Sequence, residues 1–353
     1  MDLESIILPG IDPKRPIIIA GPCSAESEEQ VMQTARGVAA QGIKIFRAGI
    51  WKPRTKPGCF EGVGLAGLPW LKRVKAETGM YVTTEVATRD QVSAALGAGI
   101  DILWVGARTT VNPFAVQEIA GALRGTNIPV FVKNPVNPEL ELWIGAIERF
   151  HRVGLRRLAA IHRGFSSYEK KEYRNEPIWH LPIALRYELP NLPMFCDPSH
   201  ITGKRELIPQ ITQQAMDLNF DGLMIETHCN PSAALSDAKQ QITPDELKNI
   251  LSGVIVRDEN EPDEQLLNLR GKIDHIDEQL LTLLAERMNI SSEIGNFKKE
   301  HNMPALQMAR YREILEDRTK LGGSKALNAQ FVREILQEIH EESVRRQLDI
   351  LAD

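Results

Sequence analysis

Up to about residue 255, apolar residues fall in short runs separated by amphipathic stretches; beyond residue 263 they recur at alternating steps of three and four. The runs are 17–20 (IIIA), 43–46 (IKIF), 80–84 (MYVTT), 101–105 (DILWV), 128–132 (IPVFV), 158–161 (LAAI), 193–196 (LPMF) and 221–225 (DGLMI). Each is short, apolar and bounded by turn residues, as expected of strands buried on both faces. Helical patterns lie between them, at 27–40, 65–78, 113–124, 138–153 and 204–218. Eight such βα repeats predict a closed parallel (β/α)8 barrel of the TIM type. An open doubly wound sheet is the rival, but no glycine-rich dinucleotide fingerprint follows the first run.

The later pattern predicts a long helix over 263–301, with a packing seam of Leu266, Leu269, Ile273, Ile276, Leu280, Leu283, Ile290, Ile294 and Phe297. At 1.5 Å per residue it would reach about 60 Å, more than a lone small bundle can cover. A partner chain is expected, giving a homodimer or larger assembly. Helix continues beyond it, interrupted only by Asn302–Pro304 and Gly322–Gly323. Polar residues enter the apolar seams: Arg287 stands where an aliphatic residue belongs, Lys298 lies on nearly the same face, and Leu336 and Ile339 lead on to Ser343 and Gln347. A buried arginine without a counter-anion is very unfavourable, so a small anionic ligand inside the helical bundle is implied.

Composition sharpens the boundary. Nineteen of the 21 prolines precede residue 250, and residues 258–264 (DENEPDE) hold five acids in seven positions. The expected organisation is a barrel over 1–256, an acidic linker over 257–264 and a small all-α domain over 265–353. A formal charge of −5 with 25% charged residues argues against a nucleic-acid or anionic-membrane partner. No apolar run approaches the roughly 20 residues that span a bilayer, and the N-terminus lacks a signal pattern. Cys23, Cys59, Cys196 and Cys229 are few and scattered, which reads as reduced thiols in the cytoplasm.

The ends of the runs carry the chemistry. In order they finish in Cys23, Arg47 with Lys52, Glu85, Arg108, Lys133, Arg163, Asp197 with His200, and Glu226 with His228. In a barrel, the C-terminal strand ends converge on one mouth. Arg47, Lys52, Arg54, Arg108, Lys133 and Arg163 would crowd there, at a cost that only an anion relieves. A small substrate with several negative charges follows. Cys23, His200, Glu226 and Asp237 could complete a metal site whose mixed donors suit Mn, Fe, Co or Zn rather than Mg or Ca. No organic cofactor is expected.

The segments AGPCSAES (20–27), RAGIWKPRTKPGCFEG (47–62), GARTT (106–110), HRG (162–164), DPSH (197–200) and ETHCNP (226–231) resemble 3-deoxy-D-arabino-heptulosonate-7-phosphate synthases. The resemblance runs in order over roughly 16–250. It implies condensation of phosphoenolpyruvate with erythrose 4-phosphate, the entry to aromatic amino acid biosynthesis. It further implies a divalent metal on Cys23, His200, Glu226 and Asp237. Phosphoenolpyruvate would lie on Arg47, Lys52, Arg108, Lys133 and Arg163, and the aldose phosphate on Arg54 and Thr55. Lys52, Lys133 and His200 would be catalytic. The KPRT segment separates this family from the sister synthases that use arabinose 5-phosphate.

The tail, over about 263–350, resembles the all-helical chorismate mutases. The resemblance implies a chorismate or prephenate pocket lined by Arg270, Arg287, Lys298, Arg310, Ser343 and Gln347, with Lys298 and Gln347 catalytic at the ether oxygen. Arg270, about 100° round the helix from Arg287, would serve the other protomer. Gln307 and Tyr311 stand where that family usually has an aspartate and a glutamate near the substrate hydroxyl. A non-catalytic effector module is the alternative reading of the tail. With the first strand near residue 16, no N-terminal regulatory domain is expected, and control of the synthase by a tail ligand such as prephenate is.

Overall fold

The computed structural model describes residues 1–6, 8–52, 58–168, 172–257 and 262–352. The chain divides into two compact units, residues 1–258 and 259–353. In the first, strands β1 (Ile17–Gly21), β2 (Ile45–Arg47), β3 (Tyr81–Val86), β4 (Ile102–Val105), β5 (Val130–Lys133), β6 (Leu158–His162), β7 (Met194–Cys196) and β8 (Gly222–Glu226) close a parallel barrel in chain order. Closure comes where β1 pairs with β8, Ile19 opposite Met224. Each strand is followed by a covering helix, from Glu28–Ala40 after β1 to Pro244–Gly253 after β8. The strands lie within two residues of the apolar runs that predict them.

Side chains alternate along each strand, so the core divides in two. Ile19, Ile45, Ile102, Trp104, Phe131, Ile161, Phe195 and Met224 fill the barrel interior, with Ile6 and Leu8 packed against them. Phe46, Val82, Leu103, Val132, Leu158, Leu223 and Ile225 point outward to the helices, among Leu71, Trp143 and Phe150. Each fully buried side chain of this size contributes about 1.5–3 kcal/mol. Local signals set the helix ends: Ser27 accepts a hydrogen bond from the Gln30 amide, and Thr243 with Glu246 forms a reciprocal capping box.

Among its described residues the second unit has three helices, Glu264–Glu300, Met308–Ser324 and Ala329–Ala352, of which the last packs on both others. One expectation fails here. Gly322–Gly323 do not break the helix, which runs on through Ser324. Gly322 is buried instead, and a Cβ there would lie 2.6 Å from Val332 Cγ2. Its missing side chain is what lets two helices approach. The nine residues of the predicted seam, Leu266 to Phe297, are 41–60% exposed in this chain. The long helix buries another face, with Met288, Ser291, Gly295 and Lys298. Among the described residues, no helix is long and apolar enough to cross a membrane.

Candidate functional sites

The alternation that builds the barrel core also builds its mouth. Two residues beyond an inward core position, the chain points inward again. Arg47 thus follows Ile45, Lys133 follows Phe131, Arg163 follows Ile161, Asp197 follows Phe195 and Glu226 follows Met224. On β3, Thr83 and Glu85 share the face of Tyr81, and on β1 the face of Ile19 continues through Gly21 to Cys23. Gly21 has φ 144°, and a Cβ there would sit 2.1 Å from the Arg47 carbonyl oxygen. Only glycine allows β1 and β2 to close up at this point. By the same parity His162 faces outward, among Trp143, Phe165, Trp179 and Phe220. Burial, helped by the Arg163 charge, pulls its pKa down to about 3, so it is a neutral packing residue rather than a site group.

At the mouth, Cys23, Glu226 and Asp237 offer ligand atoms within 4.8 Å of one another. Cys23 Sγ lies 3.3 Å from Asp237 Oδ2. Burial and the Glu226 charge push the Cys23 thiol up to about 12. Burial also works against charge on Glu226, yet His200 and Arg47 outweigh it and keep its carboxyl below the usual range. A thiol and two carboxylates confined this closely repel when ionised, and a divalent cation would relieve that repulsion and favour the thiolate. The donor set therefore fits a metal. Asp237 reaches it from left-handed backbone, φ 48°, which an aspartate tolerates better than most residues. His200 stands beside this trio, its Nε2 3.7 Å from Glu226 Oε1 and its Nδ1 2.8 Å from Asp197 Oδ2.

Charged groups continue round the mouth. Lys133 Nζ lies 2.6 Å from Asp197 Oδ2, and Arg47 Nη2 donates to Glu226 Oε1 at 3.1 Å. Lys52 Nζ donates to the Cys23 carbonyl at 3.2 Å and lies 4.0 Å from Glu85. Burial pulls Lys133 down despite Asp197. Arg163 is pulled down to about 10 by burial, opposed by Asp197 and reinforced by the cations Arg174 and Arg108. Cations crowded and desolvated in this way favour an anionic ligand.

Of the sequence-predicted groups, Lys52, Arg108, Lys133, Arg163, His200 and Asp237 line one pocket, together with Glu85 and Arg174. Arg47 is fully buried and does not line it; its guanidinium lies 4.9 Å from the centre of the Trp104 ring. Arg54 and Thr55 lie outside the described residues. Two participants escaped the sequence reading. Arg174 Nη1 donates to Asp237 Oδ1 at 2.9 Å and to Gln240 Oε1 at 2.6 Å, and Gln240 Nε2 donates to Glu226 Oε2 at 2.6 Å. Both sit in loops, where no periodicity singles them out.

In the helical unit a second pocket, of about 470 Å³, is lined by Arg287, Lys298, Arg310, Ser343 and Gln347, with Ser291, Gln307 and His340. Lys298 Nζ donates to the Ala305 carbonyl at 2.5 Å and to Gln347 Oε1 at 2.8 Å, and Gln347 Nε2 donates to Ser291 Oγ at 3.1 Å. Arg287 Nη1 donates to Ser343 Oγ at 2.5 Å. Burial lowers the pKa of both Lys298 and Arg287. Tyr311 stacks on His340, ring centres 4.4 Å apart. No acid lines this pocket among the described residues. Arg270 is exposed and does not line it; 17 residues along the helix put it roughly 26 Å from Arg287.

Comparison with known proteins assigns the two units to different families. Residues 2–259 match the DAHP synthetase I family and residues 269–348 match chorismate mutase type II. A phospho-2-dehydro-3-deoxyheptonate aldolase of Thermotoga maritima is 34% identical over 225 residues, covering 64% of this chain and 64% of the relative. The chain thus spans just under two thirds of that relative's length. A 2-dehydro-3-deoxyphosphooctonate aldolase of Polaromonas naphthalenivorans is 27% identical over 266 residues, covering 68% of this chain and 90% of that protein. The crystal structure of the Thermotoga maritima DAHP synthase aligns with a TM-score of 0.61 at 31% identity, covering 67% of each chain. A barrel with this mouth, followed by helices with this pocket, belongs to the DAHP synthetase I family and carries a chorismate mutase type II domain at its C-terminal end.

Proposed function

We propose that the barrel condenses phosphoenolpyruvate, erythrose 4-phosphate and water to 3-deoxy-D-arabino-heptulosonate 7-phosphate and inorganic phosphate, and that the helical domain rearranges chorismate to prephenate. The observation that carries the first half is one pocket in which Lys52, Arg108, Lys133 and Arg163 face His200 and Asp237. These four cations hold the carboxylate and phosphate of phosphoenolpyruvate and fix its double bond for attack on the aldehyde. Arg47, beneath them, keeps Glu226 ionised. Cys23, Glu226 and Asp237, with His200 as fourth ligand, would hold a divalent metal of the Mn, Fe, Co or Zn class, which would supply Lewis acidity toward the aldehyde. Arg54 and Thr55 receive the aldose phosphate.

In the helical domain, Arg287 and Arg310 grip the carboxylates of chorismate, while Lys298 and Gln347 hydrogen-bond the breaking ether oxygen. Ser343 orients Arg287. No nucleophile is needed, because holding the compact conformer and stabilising developing charge suffice. The exposed apolar side chains of Leu266 to Phe297 support a homodimer or larger assembly through this helix, with Arg270 reaching the partner's pocket. Both reactions are biosynthetic and suit the cytoplasm.

The intact protein should release phosphate from phosphoenolpyruvate with erythrose 4-phosphate, and much more slowly with arabinose 5-phosphate; the reverse preference would favour the sister reaction. The same protein should consume chorismate. Tight chorismate binding without turnover would reduce the tail to an effector module, a reading that Gln307 and Tyr311 keep open.

A further inference from the structure

The two carboxylates of the metal cluster come from different places in the barrel, Glu226 from the end of β8 and Asp237 from the loop beyond it. What sets their spacing is a short chain of hydrogen bonds outside the cluster. Arg174 Nη1 donates to Asp237 Oδ1 at 2.9 Å, which leaves Oδ2 beside Cys23 Sγ. The same nitrogen donates to Gln240 Oε1 at 2.6 Å, and Gln240 Nε2 donates to Glu226 Oε2 at 2.6 Å. Asp237, Arg174, Gln240 and Glu226 are thereby joined in series.

The order of groups in this series is not interchangeable. Arg174 has only donors to offer, so Gln240 must turn its oxygen to the guanidinium and its amide N–H to Glu226. The reversed amide would set N–H against N–H and oxygen against carboxylate. Gln240 is 1% exposed, so water cannot easily replace a lost bond there. Arg174 is joined to the barrel again through its neighbour: Asn175 Nδ2 donates to the His200 carbonyl at 2.6 Å and Asn175 Oδ1 accepts from Arg163 at 2.7 Å.

We propose that Arg174 and Gln240 are positioning residues for the metal, bracing Glu226 and Asp237 at ligand spacing before the ion binds. Neither touches the ion. The inference rests on the metal site put forward above, and it assigns to two loop residues the affinity of that site. Outer partners of this kind are generally worth 10–100-fold in metal affinity.

The test is titration of the metal-free, full-length protein with Co(II), read by the thiolate-to-cobalt absorption of Cys23. Arg174→Ala and Gln240→Leu should each weaken Co(II) binding 10–100-fold. The double variant should bind little worse than the weaker single one, since both break the same series. Arg174→Lys, a half-exposed change that spares the fold, should recover part of the loss. Melting of the metal-free Arg174→Ala and Arg174→Lys variants should match the parent, since Arg174 is half-exposed. The melting criterion is read on these two, because Gln240→Leu also strands a buried carboxylate. Unchanged Co(II) affinity in both single variants would overturn the brace while leaving the metal site in place. A metal-free melting temperature that falls in step with affinity would overturn it too, as ordinary loss of structure. If the parent gives no cobalt band that Cys23→Ser removes, the metal site itself is wrong and the brace falls with it.

Discussion

The barrel mouth and the helical pocket both gather cations, but they neutralise them differently. In the barrel, Lys133 meets Asp197, Arg47 meets Glu226 and Arg174 meets Asp237. The first two pairs are almost wholly buried. In the helical pocket, Arg287, Lys298 and Arg310 line the wall with no acid among the described lining residues. Eight strands can converge charges of both signs on one point and hold them there against the cost of desolvation. In the helical pocket Arg310 pairs with Glu313 of its own helix at 2.7 Å, while Arg287 and Lys298 meet neutral acceptors, Ser343, Gln347 and the Ala305 carbonyl. The contrast accords with the resident metal proposed for the barrel and the anionic ligand proposed for the helical pocket.

The sharpest way to break this contrast is to remove the ion. Dialysis against a chelator should abolish phosphate release from phosphoenolpyruvate and leave chorismate consumption intact. A chelated, demonstrably metal-free protein with full synthase activity would sink the ligand assignment.

Acid should separate the two units next. An unfolded histidine takes up its proton near pH 6.5, whereas His162 in the folded barrel does so only at about 3. Between those values the unfolded chain binds the extra proton, so stability is lost as pH falls through the window, by roughly 5 kcal/mol in all. All five tryptophans lie in the barrel, so their fluorescence reports it alone. The fluorescence transition should come at higher pH than loss of the remaining helical dichroism. His162→Phe should flatten the acid limb of barrel stability. Coincident transitions, with no effect of the substitution, would contradict the assignment.

Reciprocal substitutions probe the independence of the sites. Lys133→Ala should lower synthase kcat/KM by roughly 10²–10³-fold with mutase turnover unchanged. Arg287→Ala should do the opposite, leaving phosphoenolpyruvate affinity nearly intact. Loss of both activities in a folded single variant would mean that the two sites are not separate.

The smallest effect expected is communication between them. Added prephenate should slow the synthase with a coupling of about 1–3 kcal/mol, and Arg287→Ala should abolish the inhibition. For that, the ligand must bind two arrangements of the protein with different affinity. Insensitivity of the intact chain, or inhibition undiminished in the variant, would rule this out.

How much of this was legible along the chain depended on how local each property is. Eight apolar runs of strand length determined the barrel, since burial on both faces writes itself into consecutive residues. The polar residues ending those runs were legible too, and Lys52, Arg108, Lys133 and Arg163 do line one pocket. The long helix Glu264–Glu300 was equally plain, because its pattern repeats every turn. Where the pattern misled, packing partners were the missing information: Gly322 looked like a helix break until Val332 lay against it. Parity along the strands sends Arg163 into the mouth and His162 out of it, a distinction invisible before the strand register is known. Which charge faces which was decided only by closure of the barrel. That closure sets Cys23 against Asp237, 214 residues away, and recruits Arg174 and Gln240 from loops with no periodic signal. A hydrophobic period records the neighbours a residue has along the chain. Electrostatic complementarity depends on neighbours across it, and those exist only once the fold has formed.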